Sequence, residues 1–119
     1  MSMLDFSNSI FIILMTSGVA IWIIGLYVLE NPPKKINRTY GYRTPRAMKS
    51  QEAWDYAQVE GTRKMIIGAK AMCLISLVGL FVEFGEVLDS FIAIAIMILA
   101  VLIPLAQTEQ ELKERFGSR

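Results

Sequence analysis

The residues best suited to chemistry lie in one short stretch, Tyr40 to Pro45, where an arginine follows Tyr-Gly-Tyr and precedes Thr-Pro. Gly41 permits a positive φ, and Pro45 biases Thr44 towards an extended backbone, so Arg43 is constrained on both sides. An arginine held in this way can present a fixed fork of N–H donors to a carboxylate or a phosphate. The stretch therefore predicts either a binding surface centred on Arg43 or a rigid elbow that only turns the chain.

The residue types that most enzymes and metal sites need are scarce in this chain of 119 residues. It has no histidine, the commonest general base and metal ligand. Its single cysteine excludes an internal disulfide and a multi-cysteine metal site. The acids that remain in the central loop, Glu52, Asp55 and Glu60, match no metal or phosphate motif. We therefore expect no enzyme activity, no cofactor and no metal, and the net charge of +1 gives no reason to expect a nucleic-acid partner.

The hydrophobic residues, 54% of the chain, are gathered into three blocks that can each cross a membrane as a helix. Neither a basic segment before the first block nor a cleavage pattern after it points to a signal peptide, so we expect that block to be retained. The sequence predicts an all-α integral membrane protein forming a single membrane domain over residues 1–119. Its parts are transmembrane helices at about residues 10–29, 65–82 and 90–106, a motif loop at 30–64 and a tail at 107–119.

The basic residues predict the orientation in the membrane. The loop at 30–64 carries eight lysines and arginines and the tail carries three, whereas the N-terminal segment and the second turn carry none. The positive-inside rule then places the N-terminus outside, and the loop and the C-terminus in the cytoplasm. An acidic turn containing Glu83, Glu86 and Asp89 falls outside, where we expect three solvated carboxylates.

The second part of the loop is predicted to be helical. Thr44 with Pro45 resembles a helix start, and Ser50 is a second candidate N-cap. From Ser50 onward the residues are mostly helix-forming, with Trp54 on one face. We expect this helix either to lie at the membrane interface, with Trp54 at the headgroup level, or to lead directly into the second span.

Lys70 is the only charged residue well inside a span. One interpretation is that its side chain reaches back to the cytoplasmic surface. The other is that it faces the helix bundle near the motif loop and holds an anionic lipid group or a carbonyl.

Two further patterns concern helix stability and packing. In the tail, the spacing predicts i,i+4 ion pairs of Glu109 with Lys113 and of Glu111 with Arg115. Small residues in the first two spans would allow close helix approach, either within the chain or in a homo-oligomer. They are Gly18, Gly25, Ala69, Cys73 and Ser76.

The segment NRTYGYRTPRAMKSQEAWDYA, with a hydrophobic span on each side, resembles the SdpI/YfhL family, and in particular its short three-span members. That family's pattern is an asparagine, an aromatic-Gly-aromatic-Arg-Thr-Pro core, and then a serine and a tryptophan followed by an alanine. The matching positions here are Asn37, Tyr40, Gly41, Tyr42, Arg43, Thr44, Pro45, Ser50, Trp54 and Ala57.

The resemblance implies a function in the bacterial cell membrane. The family's namesake gives immunity against a secreted membrane-active toxin and also retains a cytoplasmic repressor at the membrane. We therefore expect a multi-pass immunity-type protein whose partners are the lipid bilayer, a toxic peptide and a cytoplasmic repressor. The alternatives are an anchor or sensor that binds a cytoplasmic regulator without toxin defence, and a small oligomeric transporter.

Overall fold

The structure, a computed structural model, describes residues 4–117, within which the secondary structure is helical and no strand occurs. The first helix, α1, spans Ser9–Glu30. The side-chain oxygen of Asn8 caps it by accepting hydrogen bonds from the N–H groups of Ile10 and Phe11, at 2.8 and 3.3 Å. The helix ends ahead of two prolines, which cannot continue a helical hydrogen-bond ladder.

The second helical segment is continuous although its geometry changes along it. It comprises α2 (Gln51–Tyr56), a π-helical turn (Ala57–Gly61), α3 (Thr62–Ser76) and a 3₁₀ turn (Leu77–Leu80). Ser50 is the N-cap of α2, as predicted, and its hydroxyl accepts a hydrogen bond from the Ala53 N–H at 3.1 Å. The helix that begins at Gln51 therefore leads directly into the second hydrophobic block.

The last helix, α4, spans Glu86–Phe116 and includes both the third hydrophobic block and the tail. Its 31 residues make it about 46 Å long. The tail continues the helix of the third block, but the local ion pairs expected there are not what the structure shows. Glu109 and Glu111 instead contact residues of other elements.

The helices α1, α3 and α4 form a bundle in which each contacts the other two. A Cβ atom on Gly18 would lie 2.8 Å from the Cys73 sulfur and 2.9 Å from the Ala69 carbonyl oxygen, so these small residues do bring α1 and α3 close together. A core cluster containing Leu14, Met72 and Ala93 joins all three helices.

The outer surface of the bundle is apolar, as expected for a helical membrane protein. By length and composition, α1 and α4 can each cross a membrane, whereas the 15 residues of α3 do not meet that test alone. Large hydrophobic side chains are exposed on all three helices, among them Ile23, Leu74 and Phe91. Such a surface suits lipid rather than water.

The acidic turn differs from expectation at one residue. Asp89 is only 1% exposed. Its carboxylate accepts hydrogen bonds from the Asn8 side-chain amide and from the Phe84 N–H, both at 3.1 Å. The prediction of three solvated carboxylates is correct for Glu83 and Glu86, which are exposed. It is wrong for Asp89, whose hydrogen bonds join the start of α4 to the start of α1.

Candidate functional site

The motif loop turns at Gly41, which has a φ of +102° and so uses the left-handed region that glycine tolerates best. The next residue, Tyr42, is held by the side chain of Gln58 from the π-helical turn. The Tyr42 N–H donates to the Gln58 amide oxygen at 2.8 Å, and the Gln58 amide nitrogen donates to the Tyr42 carbonyl at 2.8 Å. Gln58 is 1% exposed, so this paired clamp is shielded from water.

A second clamp comes from Trp54 on α2. Its side chain is fully buried, and its indole N–H donates to the Pro33 carbonyl at 2.6 Å. Trp54 thus lies inside the protein, against the first part of the loop, and does not present its ring to lipid headgroups. Because Trp54 and Gln58 share one continuous helix, the loop is fixed to that helix at two points.

The tail of α4 supplies a third set of contacts, centred on Glu109. One of its carboxylate oxygens accepts hydrogen bonds from the Tyr42 hydroxyl at 2.7 Å and the Thr44 hydroxyl at 2.6 Å. Arg46 approaches the other oxygen at 3.4 Å. Burial, and then the Glu109 carboxylate, raise the pKa of Tyr42 well above its usual value. The tyrosine therefore remains a protonated donor at any physiological pH.

A neighbouring carboxylate, Glu111, joins the tail to the helix that carries the clamps. It accepts hydrogen bonds from the Tyr56 hydroxyl at 2.7 Å and the Lys64 ammonium at 2.9 Å. The Lys64 hydrogen bond, followed by that of Tyr56, holds the pKa of Glu111 below its ordinary value. The Arg115 guanidinium lies over the Tyr56 ring, 4.7 Å from its centroid.

The remaining loop residues of the motif have local contacts. The Asn37 side-chain oxygen accepts from the N–H groups of Thr39 and Tyr40, at 2.9 and 3.0 Å, and forms an Asx turn. The Tyr40 hydroxyl donates to the Asn31 carbonyl at 2.6 Å. Thr44 accepts the Ala47 N–H at 3.3 Å, at the start of a 3₁₀ turn spanning Ala47–Lys49, so the predicted Thr-Pro helix start produces only a short turn.

Arg43 and Pro45 are exposed, as is Tyr40. One guanidinium nitrogen of Arg43 donates to the Arg38 carbonyl at 2.7 Å, which fixes the direction of the side chain. Across residues 4–117, none of the ion pairs involves Arg43. The motif loop thus turns at Gly41 and leaves the arginine that follows exposed.

Lys70 lies on the bundle surface rather than in its interior. It is exposed, and its ammonium nitrogen lies 5.3 Å from the centroid of the Trp22 ring on α1. The interpretation in which Lys70 faces the bundle is therefore wrong. Its contact with Trp22 is a cation–π interaction in an apolar setting.

Sequence reasoning missed the contacts of Gln58 and Glu109, which hold the loop, and of Glu111, which joins the tail to the helix that carries the clamps. For the two glutamates the sequence offered only local i,i+4 partners. For Gln58 a signal was present, because it lies among small residues, Ala57 and Gly61, on a helix that must pack closely. A Cβ on Gly61 would lie 2.7 Å from the Tyr42 ring.

Comparison with known proteins shows which family this chain resembles. Residues 34–107 match the SdpI/YfhL protein family, and that range covers most of the loop, α2, α3 and the apolar part of α4. The chain is also 30% identical over 99 residues to the uncharacterized protein YfhL of Bacillus subtilis (strain 168), covering 83% of this chain and 84% of YfhL. No solved structure matches it. The chain belongs to the SdpI/YfhL family.

Proposed function

We propose that this protein is a non-catalytic immunity protein of the bacterial cell membrane that protects the cell from a secreted membrane-active peptide. Family membership supports the immunity class. The observation that carries the proposal is the exposed Arg43 between Tyr42 and Thr44, whose side chains both donate hydrogen bonds to Glu109.

The rigidity around Arg43 favours recognition over a purely structural role. Tyr42 is fixed through its backbone by Gln58 and through its hydroxyl by Glu109, and Thr44 is fixed by the same carboxylate. A fork held in place loses little conformational entropy on binding. A carboxylate or phosphate is the matching group, because arginine donates two parallel hydrogen bonds to either.

The proposal includes a single membrane domain over residues 1–119 with three spans, α3 and its 3₁₀ turn being the middle one. The close contacts of α3 with α1 at Gly18 and with α4 at Gly68 support this arrangement. The excess of basic residues places the loop, with α2 at the membrane boundary, and the tail in the cytoplasm. Single-cysteine labelling from each side of the membrane at Ser7 and Lys49 tests it, and labelling of both from one side would contradict it.

The function is tested by the survival of a toxin-sensitive bacterium that expresses the protein and is challenged with secreted membrane-active peptides. Arg43→Ala and Arg43→Lys should both lose protection at matched membrane abundance, because neither retains the planar fork. Lys49→Ala, which removes one exposed charge from the same loop, should protect like the wild type.

The other outcomes are equally informative. Protection by the wild type and by both Arg43 variants would retain immunity and reduce the loop to an elbow. Absence of protection by any variant, together with co-purification of a cytoplasmic regulator that Arg43→Ala abolishes, would replace immunity with the anchor or sensor role.

A further inference from the structure

A groove runs along the outside of the bundle between α3 and α4, away from Arg43. Its apolar part has a volume of about 260 Å³ and is lined by Gly68 and Ala71 on α3 and by Ala100 and Pro104 on α4. A Cβ on Gly68 would lie 2.5 Å from the Ala100 carbonyl oxygen, so the glycine allows the two backbones to form a narrow floor. Pro104 has no N–H group and so cannot donate the helical hydrogen bond to the Ala100 carbonyl. That carbonyl therefore faces α3 without a helical partner.

The groove opens to the surroundings of the bundle rather than into its core. Ile67 and Ile103 form its two walls and are 61% and 53% exposed. Both lie inside predicted spans, so the groove opens towards the hydrocarbon of the bilayer.

One end of the groove is polar and lies at the predicted membrane boundary. Lys64 directly precedes the second hydrophobic block, and Gln107 directly follows the third. Both also line a second hollow of about 470 Å³ that continues the groove and is completed by Gln110 and Glu111. The whole feature is therefore apolar on the bilayer side and polar on the water side.

The polar end of the groove contains an ion pair. The Lys64 ammonium and the Glu111 carboxylate are 2.9 Å apart, so the groove presents a positive and a negative group side by side. A ligand with one phosphate would meet only half of this pair. A headgroup with a phosphate and a primary ammonium would complement both, and the ammonium N–H groups would also find the amide oxygen of Gln110.

We propose that this groove is a binding site for an aminophospholipid, with an acyl chain against Gly68 and Ala71 and the headgroup at Lys64 and Glu111. The phosphate accepts hydrogen bonds from Lys64 and the Gln107 amide, while the headgroup ammonium donates to Glu111. The proposal needs only that these residues lie at a membrane boundary, and so it is independent of toxin immunity.

Native mass spectrometry of the full-length protein, released from nanodiscs with equal amounts of phosphatidylethanolamine, phosphatidylglycerol and phosphatidylcholine, tests it. We expect phosphatidylethanolamine to be retained about tenfold over the other two, a difference of about 1.4 kcal/mol. Ala71→Phe, which fills the groove from an exposed position, should abolish retention of all three lipids. The matched control is Leu74→Phe on the same helix, 69% exposed and outside the groove, and it should bind like the wild type.

The headgroup assignment has its own variant, which leaves the apolar part intact. Glu111→Gln should keep a bound lipid but lose the preference for phosphatidylethanolamine over phosphatidylglycerol, because the acceptor for the ammonium loses its charge. Equal retention of the three lipids by the wild type would overturn the assignment. Unchanged lipid binding by Ala71→Phe would overturn the location of the site. Absence of any bound lipid on the wild type would overturn lipid binding altogether and would favour a protein partner for the groove.

Discussion

Replacing Gln58 by leucine should release the motif loop while the helices remain folded. The substitution roughly preserves the size of the side chain but removes both hydrogen bonds to the Tyr42 backbone, each 2.8 Å long. A buried polar group left without a partner costs about 1–3 kcal/mol. Two such groups, the N–H and the carbonyl of Tyr42, therefore favour opening of the loop by at least about 2 kcal/mol. That corresponds to about 30-fold more of the open state.

Hydrogen exchange of the Tyr42 amide measures this opening directly. In Gln58→Leu we expect the amide to exchange about 30-fold faster than in the wild type, with exchange in α1 and α4 unchanged. Gln110→Leu is the matched control, because Gln110 is exposed. This substitution should change the free energy of loop opening by no more than about 0.5 kcal/mol. Unchanged protection of Tyr42 in Gln58→Leu would refute the reasoning, since the loop would then be held by Glu109 and Trp54 without this clamp.

Three further outcomes follow from buried or paired polar groups. Trp54→Phe should lower the stability by about 1–3 kcal/mol in thermal unfolding, because it leaves the Pro33 carbonyl without its donor. An unchanged unfolding midpoint would contradict this and would mean that water reaches that carbonyl. The lowered pKa of Glu111 means that its ion pair with Lys64 stabilises the docked tail fully above pH 4.5 and less as the pH falls through the lowered value. The protection factors of the tail amides, which correct for the intrinsic pH dependence of hydrogen exchange, should therefore stay constant above pH 4.5 and fall at lower pH, and this dependence should weaken in Glu111→Gln. Asp89→Ala should lower thermal stability by about 1–3 kcal/mol, because the Asn8 amide and the Phe84 N–H lose their acceptor. A loss of stability smaller than that in Glu86→Ala would contradict this.

The sequence predicted the helices well because their signals are local. Residues 10–29 and 90–106 fall inside α1 and α4, and Ser50 caps α2 as its side-chain chemistry dictates. The positive φ of Gly41 was also anticipated, since glycine adopts it without strain.

The contacts that hold the loop could not be predicted in the same way. An exposed i,i+4 ion pair is worth only about 0.2–0.5 kcal/mol, so Glu109 gains more from the Tyr42 and Thr44 hydroxyls once the fold brings them near. Asp89 escaped prediction for the same reason, because its donors come from the far end of the chain and from the turn before it. Contacts between distant segments leave no periodic pattern in a single sequence.

The π-helical turn at Ala57–Gly61 makes the number of residues in this stretch as important as their identity. Such a turn accommodates one residue more than an α-helical turn. Removing one residue there would let an ordinary α-helix run through and rotate α2 by about 100° relative to α3. Trp54 would then swing away from the loop that it holds, while α3 kept its place in the bundle. A one-residue deletion would thus disconnect the motif from the membrane helices without altering a single motif side chain.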